Sequence, residues 1–174
     1  MFQARGCLIE APLEVDLLSI ATRCNTTMFL IYRVPAEDAR SMKIFGIAYA
    51  GTLISFLLVD AIWLGLIAKN FYRNQLGDMM LPSPNFAVAT VFYLFFAAAI
   101  VVLAVRPALD SGSVWTAVGY GAVLGLAAYG TYDMTNLSTL KGWPIALTLV
   151  DLLWGTVLTA AASACGYAAA RSFG

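Results

Sequence analysis

Three aspartates in or beside apolar stretches are the residues whose type and spacing could do chemistry. Asp60 and Asp151 each lie inside such a stretch, and each is followed three residues later by a tryptophan, Trp63 or Trp154. Asp133 ends a further apolar stretch. An ionisable side chain in a membrane-spanning segment is costly, so it marks a working site or a packing contact. Carboxyl groups in such places can donate or accept protons, and together they can bind a hard cation.

The composition indicates a membrane protein and limits the chemistry. The chain has 174 residues, of which 61% are hydrophobic and 11% charged, whereas soluble domains carry about 25% charged residues. Its formal net charge is zero and it has no basic block, so nucleic acid is excluded as a partner. Because it has no histidine, histidine-based zinc sites and Ser–His or Cys–His dyads are also excluded.

The first 41 residues differ from the rest. They hold four of the ten basic and five of the ten acidic residues, and their apolar runs are too short to cross a membrane. Met42 and the residues after it look like a natural beginning. We therefore divide the chain into an N-terminal arm of undetermined structure over 1–41, which is either a mis-assigned start or a loose cytoplasmic arm, and a transmembrane domain over 42–174.

Four apolar stretches follow, each close to the 20 or so residues that a helix needs to cross about 30 Å of hydrocarbon. We place these spans at about 44–68, 86–105, 114–132 and 144–170. The expected fold is all-α: a polytopic membrane protein built as a four-helix transmembrane bundle. Arg106 and Pro107 are expected to end the second span, and residues 69–77 to form a short interfacial helix. Aromatic residues at the span ends are expected to anchor the interfaces: Tyr72, Trp115 and Trp143.

The order of the spans predicts that the three acids meet near one membrane face. Asp60 lies near the far end of the first span, and Asp151 lies about 10 Å into the fourth span from that same side. Asp133 follows the third span, again on that side. Polar and small residues at helical spacing accompany the acids and should face the protein, because lipid cannot satisfy them: Thr52, Phe56, Asp60 and Trp63; Gly121, Gly125, Tyr129 and Asp133; Thr148, Asp151, Gly155 and Thr159.

Asp133 needs a partner, since a negative charge at a helix C-terminus opposes the helix dipole. Lys141 is the nearest basic candidate. Tyr132 and Lys141 could also orient a polar head group beside the acids. In the alternative interpretation, the acids only bond Trp, Tyr or Lys side chains and stabilise the bundle.

Further motifs resemble a known family. Residues 131–137, the Trp143-Pro144 pair and residues 151–155 look like the bacterial membrane-protein family catalogued as domain of unknown function 2177. The Asp60-x-x-Trp63 motif also fits, and the similarity covers about 42–170. The resemblance implies a four-helix inner-membrane protein and an association with fatty-acid modification of the cyclopropane type. It brings no established activity and no catalytic residues.

Three functions stay open at this point. In the first, the chain is a lipid-modifying or lipid-handling protein in which Asp60, Asp133 and Asp151 move protons or hold a divalent cation, Mg²⁺ or Ca²⁺ in preference to zinc. In the second, it is a small proton-coupled transporter that dimerises. In the third, it is a non-catalytic subunit of a membrane complex. The expected partners are the bilayer, a lipid substrate, and a second copy or a complex subunit.

The basic residues give a weak orientation signal. Outside the spans, Lys and Arg are balanced at three on each side of the membrane, and only the four arginines of the arm break the balance. The positive-inside rule then predicts that both termini lie in the cytoplasm.

Overall fold

A computed structural model describes residues 35–174, with side chains from residue 39 onward. The predicted all-α fold is confirmed over these residues, which contain no strand. The arm predicted over 1–41 lies almost entirely outside them. The helices, with their π and 3₁₀ turns, are α1 at Pro35–Ile62 and a π turn at Trp63–Ile67; α2 at Lys69–Leu76 and a 3₁₀ turn at Gly77–Met79; α3 at Phe86–Ile100 and a π turn at Val101–Val105; α4 at Arg106–Ser111; α5 at Val114–Thr139; and α6 at Ile145–Phe173.

Four long helical stretches correspond to the four predicted spans. Within the described residues, Ala39–Ile67, Phe86–Ser111 and Ile145–Phe173 are long and apolar enough to cross a membrane. The fourth, α5, has 26 residues and is therefore about 39 Å long. It is less apolar than the others because it carries glycines, threonines and tyrosines as well as Asp133. The short α2 follows the first span, where the sequence predicted a short helix.

The second span does not end at Pro107, as the sequence predicted. The helix continues through the π turn into α4 and ends at Gly112, which has a left-handed φ of 68°. Just before Pro107, the Arg106 N–H donates to the carbonyl of Val101, five residues back. A proline ring clashes with the preceding turn of a regular α-helix. The helix changes to this wider turn where that clash would occur.

The third span also ends later than predicted. Helix α5 continues to Thr139, so Asp133 lies more than a turn before its end. The helix dipole acts mainly within the last turn. The predicted conflict between Asp133 and the dipole is therefore much weaker than the sequence suggested, because the polar residues after it continue the helix.

Glycines allow the closest helix contacts. A Cβ atom on Gly125 would collide with the carbonyl oxygen of Gly155 and would lie 2.7 Å from Thr159 Oγ1. The Gly121-x-x-x-Gly125 motif thus permits a close approach between α5 and α6. Helix α1 approaches α6 in the same way, since a Cβ atom on Gly51 would lie 2.7 Å from Ala169 Cβ.

The predicted inward-facing residues form the polar part of the protein interior. Buried polar side chains occur at Thr52, Asp60, Asp133, Thr148, Asp151 and Thr159, as the helical spacing indicated. The apolar part of the core comes largely from α3 and its π turn, including Ile100, Val101, Ala104 and Val105. All three aspartates are thereby held inside the protein, with apolar side chains on the outer faces of the helices.

Candidate functional site

Asp60 has a donor for each of its carboxylate oxygens. The Tyr93 hydroxyl of α3 donates to Oδ2 at 2.8 Å, and the Trp154 indole Nε1–H of α6 donates to Oδ1 at 3.2 Å. Only 5% of Asp60 is exposed. Buried carboxylates are stable when their oxygens are hydrogen-bonded in this way. Asp60 therefore connects α1 to two other helices.

Asp151 is bonded from the short helix α2. The Tyr72 hydroxyl donates to Asp151 Oδ1, and it accepts a hydrogen bond of 3.4 Å from the Trp63 indole Nε1–H. Burial, and then the hydrogen bond to Asp151, raise the pKa of the Tyr72 hydroxyl. The phenol thus keeps its proton and remains a donor at ordinary pH.

The two Asp-x-x-Trp motifs form one connected arrangement. The rings of Trp63 and Trp154 are stacked, with centroids 4.2 Å apart and planes 10° from parallel. Each tryptophan is linked by hydrogen bonds to the aspartate of the other motif. Trp154 donates directly to Asp60, whereas Trp63 donates to the Tyr72 hydroxyl, which in turn donates to Asp151. For these two acids, the geometry matches the interpretation of a stabilising side-chain network.

Asp133 is different, because it is completely buried and neither of its carboxyl oxygens has a hydrogen-bond partner among the described residues. It lies close enough to Asp151 for their charges to repel each other. The Trp143 indole N–H lies near enough to Asp133 to interact with it, and the hydrogen bond that it makes is to Thr148 Oγ1 at 3.1 Å. Asp133 is therefore the member of the described cluster in which both oxygens are without a hydrogen bond, whereas Asp60 has two bonds and Asp151 has one.

Two other predicted site residues, Tyr132 and Lys141, are exposed. Tyr132 is exposed, and its ring meets the edge of the Trp143 ring at a centroid distance of 5.7 Å. Lys141 is exposed in the loop between α5 and α6. It does not donate to Asp133, so the ion pair predicted for these two residues is wrong. The loop directs the lysine outward, while the following Trp143 packs inward.

The cluster does not have the arrangement of a metal site. Across residues 35–174, no group of three or more acidic, cysteine or histidine side chains is placed to hold a metal ion. Both oxygens of Asp60 already accept hydrogen bonds, and Asp151 accepts one from Tyr72. The donor set therefore does not fit the divalent cation that the sequence suggested.

Residues 45–168 match the model of a family described as predicted membrane proteins, DUF2177. The chain belongs to this family. The match contains all three aspartates, together with Tyr132 and Lys141. No curated protein and no solved structure matches the chain.

In this DUF2177 chain, the sequence did not reveal the role of two tyrosines. Tyr72 was expected at the membrane interface, but its hydroxyl points to Asp151. Tyr93 received no role, although it donates to Asp60. A signal for Tyr93 exists in retrospect, since it is the only tyrosine of an uncharged span. No comparable signal marks Tyr72, whose direction depends on how α2 folds back towards the bundle.

Proposed function

We propose that this membrane protein binds or modifies a membrane lipid, and that Asp133 is the working carboxyl group. The observation that supports the proposal is the burial of Asp133 with both oxygens unpartnered. Burying a polar group without hydrogen bonds is costly. Such a group is expected where function uses it, and perturbed acids concentrate at functional sites.

The surroundings of Asp133 favour a lipid as the ligand. The helices that carry the site expose apolar side chains over most of their outer surface, where acyl chains would pack. Tyr132 precedes the buried acid in α5, Lys141 lies in the loop that follows α5, and both are exposed and could orient a polar head group. In this proposal, Asp133 donates or accepts a proton or binds the head group. Asp60 and Asp151 are positioning residues that hold the helices around it.

The lipid composition of cells tests this function. Cells of the source organism that lack this gene would be complemented with the wild-type chain, Asp133→Asn or Asp78→Asn, and their lipids compared by mass spectrometry. Asp78 is an exposed acid near the end of α2 and serves as the matched control. We expect the deletion to change the lipid profile, and the wild type and the Asp78 variant to restore it, whereas Asp133→Asn does not.

Two results would count against the proposal. An unchanged lipid profile in the deletion strain would remove the modification of lipids and leave only their binding. Full restoration by Asp133→Asn would remove the role of the carboxyl group and would favour a non-catalytic subunit, in which the side-chain network around Asp60 and Asp151 serves only stability. The proton-coupled transporter stays a prediction, which flux measurements in proteoliposomes would test.

A further inference from the structure

We infer that Asp133 binds the primary ammonium group of an aminophospholipid, held between the carboxyl group and the Tyr132–Trp143 ring pair. The inference rests on the proposed lipid function and specifies its ligand class. It starts from a carboxyl group that is 0% exposed and whose two oxygens have no hydrogen-bond partner in the part of the chain that the structure describes. The complete burial of this acid distinguishes it from a cluster of exposed acidic residues.

The chemistry of the carboxylate selects the ligand. An ionised carboxylate only accepts hydrogen bonds, so its ligand must supply N–H or O–H donors. Inside a protein the ligand must also offset the negative charge, because an unpaired buried charge is strongly unfavourable. A primary ammonium group does both, since it carries a positive charge and three donors for the two oxygens. A quaternary ammonium group has the charge but no donor.

The aromatic residues add attraction for a cation. The rings of Tyr132 and Trp143 are nearly perpendicular, with an interplanar angle of 79° and centroids 5.7 Å apart. Trp143 lies beside Asp133. Cations are attracted to the faces of such rings, most strongly to tryptophan. The carboxyl group and the ring pair therefore favour an organic cation over a neutral hydroxyl group.

In the inferred complex, the head group enters past the loop that carries Trp143. A hydrogen bond of 3.1 Å from its indole N–H to Thr148 Oγ1 keeps Trp143 in its inward position. Gly142, just before it, has a left-handed φ of 79° that favours glycine. If Trp143 moves outward, the head group can reach Asp133. The exposed Lys141, two residues before Trp143 in the chain, is the inferred partner of the lipid phosphate.

A methylation series tests the inference without any mutation. The purified full-length wild-type protein would be released from detergent in a native mass spectrometer, with phosphatidylethanolamine, its N-methyl and N,N-dimethyl derivatives, or phosphatidylcholine added. All four lipids share the phosphate and acyl chains and differ in the number of N–H donors. We expect binding to weaken stepwise along the series, by about tenfold to a hundredfold in total, because hydrogen bonds to a charged group are lost.

Substitutions locate the binding. Asp133→Asn should reduce the preference for phosphatidylethanolamine over phosphatidylcholine to about one, whereas the exposed control Asp110→Asn should preserve it. Glycerophosphoethanolamine would compete in these measurements if the head group alone sufficed, and weak competition would show that the acyl chains are needed. Equal binding of all four lipids, or an unchanged preference in Asp133→Asn, would overturn the inference.

The outcome separates this inference from the proposed function. If Asp133→Asn fails to restore the cellular lipid profile but the purified protein shows no amine preference, only the ammonium ligand is wrong. If the amine preference depends on Asp133 while the deletion leaves cellular lipids unchanged, the site binds lipid, and only the modification of lipids is removed from the proposed function. A response of wild-type stability to pH that is lost in Asp133→Asn, without any effect of lipid, would assign Asp133 to proton binding alone and would also overturn the inference.

Discussion

At the scale of single residues, the cluster divides into two kinds of acid. Asp60 has a donor on each oxygen and Asp151 accepts from Tyr72, whereas Asp133 accepts from none. The Tyr93 hydroxyl donates to Asp60 Oδ2 at 2.8 Å. Removing its hydroxyl leaves one buried carboxylate oxygen without a donor while preserving the ring. The cost of that loss measures how much the network contributes to stability.

We expect Tyr93→Phe to lower the free energy of unfolding in mixed micelles by about 1–3 kcal/mol, the cost of leaving a buried acceptor without its partner. Titration with a denaturing detergent would measure it. Tyr120→Phe is the matched control, because Tyr120 is exposed on α5. It should change the free energy by less than about 0.5 kcal/mol. Equal effects of the two substitutions would show that the bond to Asp60 adds no stability.

At the scale of helices, the contact between α5 and α6 depends on glycine. A Cβ atom on Gly125 would meet the backbone of α6, which cannot move aside as a flexible side chain can. We expect Gly125→Ala to lower the free energy of unfolding by about 1–3 kcal/mol, as overpacking of a core does. The same detergent titration would report the change.

Gly119→Ala on the same helix is the control for this prediction. Its Cβ atom would meet nothing within 4 Å, and alanine stabilises a helix interior by up to about 1 kcal/mol relative to glycine. We therefore expect changes of opposite sign at the two glycines. A loss of stability at Gly119 equal to that at Gly125 would mean that glycine is needed for the helix itself and not for the contact.

The sequence was sufficient to predict the helices and their inner faces, but not their ends or their contacts. Periodic polar residues such as Thr52 and Thr159 indicate an inward face because lipid penalises any other orientation. The end of the second span could not be predicted, since a π turn lets the helix continue past Pro107. The donors to the acids come from elements distant in sequence, so Tyr72 and Tyr93 could be assigned only from the packing of the helices.

At the scale of the whole molecule, the membrane orientation decides which compartment the carboxyl cluster faces. We propose that the protein lies in a bacterial inner membrane with both termini in the cytoplasm. Four spans place the termini on one side, and the arginines at 5, 23, 33 and 40 add positive charge to that side. The loop with Lys141 and the buried Asp133 would then lie towards the opposite, external face.

Reporter fusions test this orientation. Alkaline phosphatase, which is active only outside the cytoplasm, should be inactive when fused after Gly174 and active when fused within residues 80–84, between α2 and α3. A chain beginning at Met42 lacks the four arginines, and the remaining basic residues are balanced at three per side. We therefore expect that chain to give intermediate activity at both positions, from a mixture of orientations. High activity after Gly174 in the full chain would reverse the orientation, and Asp133 would then lie towards the cytoplasmic leaflet and the head groups of its lipids.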